Sequence, residues 1–231
     1  MIFAGCYGGG PIVVHRPFDF SSQELKQETL QVIRLSAAGT GRETLFTGNG
    51  ILHAGPVMQL FPAFRVVAAR AGLLVVGDNA SGVLYRWQGK THDSVSIRLP
   101  HKAVSKAAGD SMKQLWYDVA KVGGEVNPEV RQSIDLGWSK LPMADSIPLF
   151  SALLMDDSAL VWMSDYAGHP GVVRLHIRRW TELARDGIPV AALELPAGFD
   201  LMQITHGRAL GIQEKEDGSL AVEVRAINIG G

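Results

Sequence analysis

Seven histidines, one pair of adjacent aspartates and a single cysteine are the residues of this chain whose types could do chemistry. The histidines are His15, His53, His92, His101, His169, His176 and His206. No two stand in an HxH, HxxxH or HExxH spacing, so no strand or helix face presents a ready pair of metal ligands. His176 falls in an alternating stretch, where the polar face of a strand is the structural reading and a ligand role the functional one. His206 precedes Gly207 and reads as a turn residue. Asp156-Asp157 lies between two apolar runs. Two carboxylates at the mouth of a sheet-lined channel could hold calcium through oxygen. The same Asp-Asp-Ser is also what a hairpin turn uses, because Asp accepts hydrogen bonds from its own turn backbone. The turn is the stronger of the two. Asp156, Asp157 and His176 are therefore the candidate metal ligands, with calcium the candidate ion. Cys6 is alone, which excludes an intrachain disulfide and any cysteine-cluster zinc or iron–sulfur site. No GxSxG occurs, and Gly8-Gly9-Gly10 lacks the strand–GxxxxGK[ST]–helix context of a phosphate loop. The sequence names no catalytic residue and no cofactor site.

Composition narrows the partners. The chain has 231 residues, a formal net charge of −1 and 46% hydrophobic residues, so it can bury a real core but offers no cationic footprint for nucleic acid. No apolar run reaches the 18 residues of a membrane-spanning helix. Phe3-Ala4-Gly5-Cys6 has the look of a lipoprotein cleavage site. Only five residues precede the cysteine, with no basic region and no room for an apolar one, so a strand running into the turn at Tyr7–Gly10 is the better account.

These residues must be positioned by strands. The segment from Pro148 to Phe199 predicts a four-stranded antiparallel meander over Leu149–Met155, Ala159–Ser164, Val172–Trp180 and Ile188–Leu195. Val172–Trp180 alternates Val, Leu and Ile with Arg and His, the period-2 signature of a half-buried strand. A second unit spans Phe64–Ala69, Leu73–Gly77, Val83–Trp87 and Ser94–Leu99. Before it, Pro11–Arg16, Glu28–Leu35 and Arg42–Thr47 form a blade-like unit with an uncertain first strand, and Gly48–Pro62 reads as a connection. The last unit has three strands, Phe199–Ile204, Arg208–Gln213 and Leu220–Ile227, with Glu216-Asp217-Gly218 as a hairpin turn. Its fourth strand is expected from the other end of the chain. Leu73–Asp78 parallels Ala159–Asp165, and Ile97–Pro100 parallels Leu193–Pro196. Once an interruption from 101 to 147 is set aside, the repeat is about 40 residues, a propeller-blade period.

The interruption is helical. Apolar residues from Val104 through Met112 and Val119 mark a 3.6-period stripe over Lys102–Val122. Asn127-Pro128-Glu129 marks a second helix start, with the end expected near Gly137.

Leu73-Val75-Gly77-Asp78 with Val83-Tyr85-Arg86, Ile147-Pro148 leading to Asp156-Asp157 and Leu160-Val161-Trp162, and Leu193–Phe199 followed by Leu210-Gly211 and Val222-Glu223-Val224 together resemble bacterial six-bladed β-propeller proteins of the NHL/TolB-like type. The resemblance implies an all-β fold: one β-propeller domain, or a partial ring, of four-stranded antiparallel blades over residues 1–231 with an inserted helical pair. It implies a periplasmic or extracellular setting. Six blades need more than 231 residues, so the chain is expected to be the C-terminal portion, of about four blades, of a longer protein, or an open version that self-associates through its blade edges. The expected function is a non-enzymatic binding or scaffold module for a protein or small-molecule ligand, with the inserted helices as the recognition surface. Two alternatives are a propeller hydrolase or lyase with a metal in its axial channel, and a truncated product without its own function.

Overall fold

The computed structural model describes residues 2–17, 24–38, 40–54, 57–70, 72–121, 123–168 and 177–227. Tight turns set the register from the start. Gly8 and Gly9 both take positive φ, 56° and 79°, which a two-residue hairpin turn of the right twist demands. They join β1 (Ile2–Tyr7) to β2 (Gly10–His15), with Tyr7 opposite Gly10. Antiparallel β3 (Leu25–Leu35), β4 (Arg42–Ala54) and the short β5 (Val57–Met58) follow. The sequence stopped β4 at Thr47. It runs on to Ala54 because Ile51 and His53 side chains are buried and their backbone pairs with β3 across two register breaks.

The second sheet is β6 (Arg65–Arg70), β7 (Leu73–Asp78), β8 (Val83–Gln88) and β9 (Thr91–Ser96). The turn at Gly89-Lys90 places Gln88 opposite Thr91, so β9 begins three residues earlier than the sequence suggested. A single parallel bridge, Gly5 opposite Ala69, connects this sheet to the first.

The helical excursion is clipped at its base. β10 (Lys102–Ala103) pairs with β11 (Ser146–Ile147), and between them lie α1 (Lys106–Val119) and α2 (Pro128–Lys140). α1 starts four residues later than its apolar stripe implied, because Lys102 and Ala103 are spent on the clip and Ser105 caps the helix by accepting from the Ala108 amide. Asn127 caps α2 as expected, accepting from the Glu129 amide at 2.8 Å. Gly137 does not end α2. It lies inside the helix, where an added Cβ would stand 2.6 Å from Val57 Cγ2, so glycine allows close approach to β5.

The third sheet is β12 (Leu153–Met155), β13 (Val161–Ser164), β14 (Arg179–Leu183) and β15 (Pro189–Glu194). The expected strand Val172–Trp180 lies mostly outside the described residues; the described strand begins at Arg179 and continues to Leu183. The fourth sheet is β16 (Phe199–Thr205), β17 (Arg208–Glu214) and β18 (Leu220–Ala226).

Sheets stack face on face in chain order. Leu74 and Val76 of β7 pack with Ile12, Val14, Leu30 and Val32 of the first sheet. Val75, their neighbour on the opposite face, packs with Leu153, Val161 and Met163 of the third. Trp162, between those two residues, faces the fourth sheet with Trp180, Leu193, Phe199 and Ile204. The first strands touch in succession: β1 with β6, β6 with β12, β12 with β16.

The chain is thus all-β in its sheets, with two helices. The finer expectation of a ring needs correction. No closed ring is found among the described residues, β1 pairs with β2 and β6 instead of completing the fourth sheet, and that sheet has three strands. The N-terminal unit, expected to be partial, is complete with four strands and the short β5.

Trp162 is fully buried. Trp162→Ala should lower unfolding stability by about 3–5 kcal/mol, as for other buried aromatics. A denaturant midpoint equal to wild type would show that the third and fourth sheets do not depend on this ring.

Candidate functional site

The two aspartates singled out by sequence are engaged by the hairpins around them. Asp156 Oδ1 accepts from the amides of Ser158 and Leu160 at 2.9 and 3.0 Å. Its Oδ2 accepts from Trp162 Nε1 at 3.1 Å. Asp157 Oδ2 accepts from the His206 amide at 2.9 Å and lies 3.3 Å from both Thr205 Oγ1 and His206 Nδ1. His206 occupies the two-residue turn with Gly207 between β16 and β17. Asp157 therefore fastens the β12–β13 hairpin to the β16–β17 hairpin. His176 lies outside the described residues. Among the described residues, no group of three or more His, Cys, Asp or Glu side chains could hold a metal ion.

A cleft of about 210 Å³ opens between the outer strands of the second sheet and the facing strands of the third. Strand alternation builds it. Leu84, Arg86 and Gln88 share one face of β8, and Val95 joins them from β9. Across the gap stand Leu160, Val161 and Leu183. The floor is branched aliphatic and the rim is polar.

Arg86 governs the rim. Its Nε and Nη2 donate to the two carboxylate oxygens of Asp93, each at 2.8 Å, a bidentate pair. Its Nη1 donates to the carbonyl of Arg185 in the β14–β15 turn at 2.5 Å, so one guanidinium ties two sheets together. These bonds hold the Asp93 carboxyl below the usual carboxylate range. His92 borders the cleft and stacks on Trp87. On the far side of the third sheet, burial and then the neighbouring Asp156 push the Glu182 carboxyl upward.

Sequence reading passed over Arg86 as one of several arginines near strand ends. The signal was present: the Gly89-Lys90 turn sets Arg86 directly opposite Asp93. Starting β9 at Ser94 hid it. A second polar set was also missed. His53 Nε2 lies 3.0 Å from Glu28 Oε1, with both side chains almost fully buried. Burial pulls the nearby Arg16 guanidinium down while Glu28 opposes that shift. Arg16 donates to the Arg65 carbonyl at 2.7 Å, and Arg65 pairs with Asp78 at 2.9 Å, so this set joins the first sheet to the second.

The helical pair, expected as the recognition surface, turns Trp138 and Ile134 inward against Val57, Leu60 and Phe61. It exposes Val119, Val130 and Leu136. No helix among the described residues is long and apolar enough to cross a membrane.

No protein-family model matches the chain, and the searches of curated proteins and of solved structures give no match either.

The Asp157 carboxyl is held below its ordinary value, first by the His206 amide. A carboxylate lowered by folding stabilises the fold above its unfolded pKa, near 3.9, and loses that contribution as pH falls through its folded value. Asp157→Asn should therefore lower Tm at neutral pH and flatten its decline in acid. Parallel acid limbs for variant and wild type would show that the hairpin tie carries no proton linkage.

Proposed function

We propose that the chain is a non-enzymatic binding module, a four-sheet arc of β-propeller character related to the six-bladed NHL/TolB-like type, and that it takes a small ligand between its second and third sheets. The observation that carries this is the cleft itself: an aliphatic floor, a rim of fixed donors, and walls from two sheets whose opposite faces are packed. Sites that bind small molecules combine this apolar lining with a few placed polar groups. The succession of contacting first strands supports the propeller character. Structural use of Asp156 and Asp157 in hairpin ties supports binding over metal-dependent hydrolysis. Ala184 lines the cleft at its β14 end. Fragments found by saturation-transfer NMR should bind wild type and be lost from a cleft-filling Ala184→Trp variant. Fragments retained by that variant would place the site elsewhere and overturn this assignment.

A second reading concerns assembly. The fourth sheet packs one face on the third and turns Leu220, Val222 and Val224 of edge strand β18 to solvent, with Val222 at 76% exposure. An exposed apolar edge strand invites pairing. Light scattering should find the chain self-associated, and Val222→Lys should return it to monomer. A wild-type chain that is monomeric at all concentrations would sink this reading.

A further inference from the structure

The cleft's chemistry names a class of ligand, and the inference rests on the cleft being the binding site. Its rim carries two arginines, Arg86 and Arg185, with His92 beside them, against one carboxylate, Asp93. Its floor is formed by Leu and Val, with no aromatic ring other than the His92 imidazole among the lining residues. A lining of this kind suits an anionic head on an aliphatic body better than a flat aromatic or a sugar. At about 210 Å³ the cleft lies below the roughly 300–1,000 Å³ of drug-sized pockets, so the body is short.

The Arg86–Asp93 pair shows where the head would go. The Arg86 side chain is 20% exposed and is also anchored across the gap by the Arg185 carbonyl. The Asp93 side chain is 63% exposed. The cation is thus the fixed partner and the carboxylate the one free to leave. Pairs with a solvated partner contribute little to stability, so exchanging one carboxylate for another costs little. Bidentate geometry on a planar guanidinium also selects carboxylate over other anions of similar charge.

We propose that the cleft binds a short-chain aliphatic carboxylate, whose head takes the place of the Asp93 carboxylate on Arg86 while its tail lies between Leu84 and Val95 on one side and Leu160 and Leu183 on the other. Asp93 is then an internal competitor that holds the guanidinium in its binding orientation until a ligand arrives. No covalent step is involved.

The test is titration of the full chain with octanoate, octan-1-ol and octylammonium, followed by NMR of the methyl groups of Leu84, Leu160 and Leu183. Octanoate should saturate and shift these methyls, octan-1-ol should bind at least tenfold more weakly, and octylammonium should not saturate. Asp93→Asn removes the competitor and should tighten octanoate binding about two- to fivefold, the range set by a weak half-exposed pair. Arg86→Gln should weaken it at least about tenfold, the loss of a charge-assisted bond. Arg86→Lys keeps the charge and loses the fork, and should fall between. Asp93→Asn leaves Arg86 in place, so the competitor arm stands even where an Arg86 variant folds poorly. Equal affinity for octanoate and octan-1-ol, or unchanged binding in Asp93→Asn, would overturn the carboxylate assignment while leaving the cleft as a site. No shift of the cleft methyls with any of the three probes would overturn the carboxylate assignment, and the Ala184→Trp comparison then decides whether the cleft survives as a site.

Discussion

Burial of both faces of the second and third sheets is the constraint on which the rest depends. A strand in such a sheet has no solvent side, so it reads as a near-continuous apolar run. Leu73–Val76 and Val161–Met163 are the result: neighbouring side chains point into two different cores. Charged groups are pushed to strand ends and outer strands, where turns and neighbouring sheets can satisfy them. Arg86 and Asp93 sit at such a place, and so the cleft forms at the periphery of the stack while the packed clusters hold its interior.

Face-to-face packing alone does not fix how the sheets meet. Polar ties at the strand ends do. Asn79, fully buried at the end of β7, accepts from the Phe64 amide at 2.8 Å and donates to the Phe150 carbonyl at 3.2 Å, fastening the approach to β6 and the approach to β12. Ser164, at the end of β13, accepts from the amides of Ser151 and Ala152 in the same manner. At the opposite ends, Arg70 donates to the carbonyls of Met155 and Ile204, so one side chain of the second sheet reaches both the third and the fourth. A buried backbone group without its partner costs more than a bond gained, which makes these ties selective for one arrangement.

Much of this order was legible in the residues. Runs such as Val83–Trp87 and Arg208–Gln213 announce strands by composition and by the turn residues between them. The parallel between Leu73–Asp78 and Ala159–Asp165 is real in space: both are second strands of their sheets. The helix start at Asn127 was equally plain, because capping is a local interaction. What failed was non-local. β4 continues beyond Thr47 because β3 is there to pair with it, and Gly137 stays helical because Val57 lies against it. The cleft was invisible for the same reason: its walls come from residues about 70 to 110 positions apart, brought together only when the sheets stack. Asp156 and Asp157 drew attention by type, whereas Arg86 mattered by register.

The β10–β11 clip gives the helical pair a particular standing in the chain. Lys102 stands opposite Ile147 and Ala103 opposite Ser146, so the polypeptide leaves the sheets and returns to them at one point. Everything between those residues is a detour with adjoining ends, and the second sheet meets the third with or without it in the path. Such a detour works like a socket. Its contents can change in length and sequence while the stack around it keeps its register, provided that a patch remains to cover Val57 and Phe61. The sheets and the helices are thereby free to diverge at different rates, one held by packing on both sides and the other by a single seam.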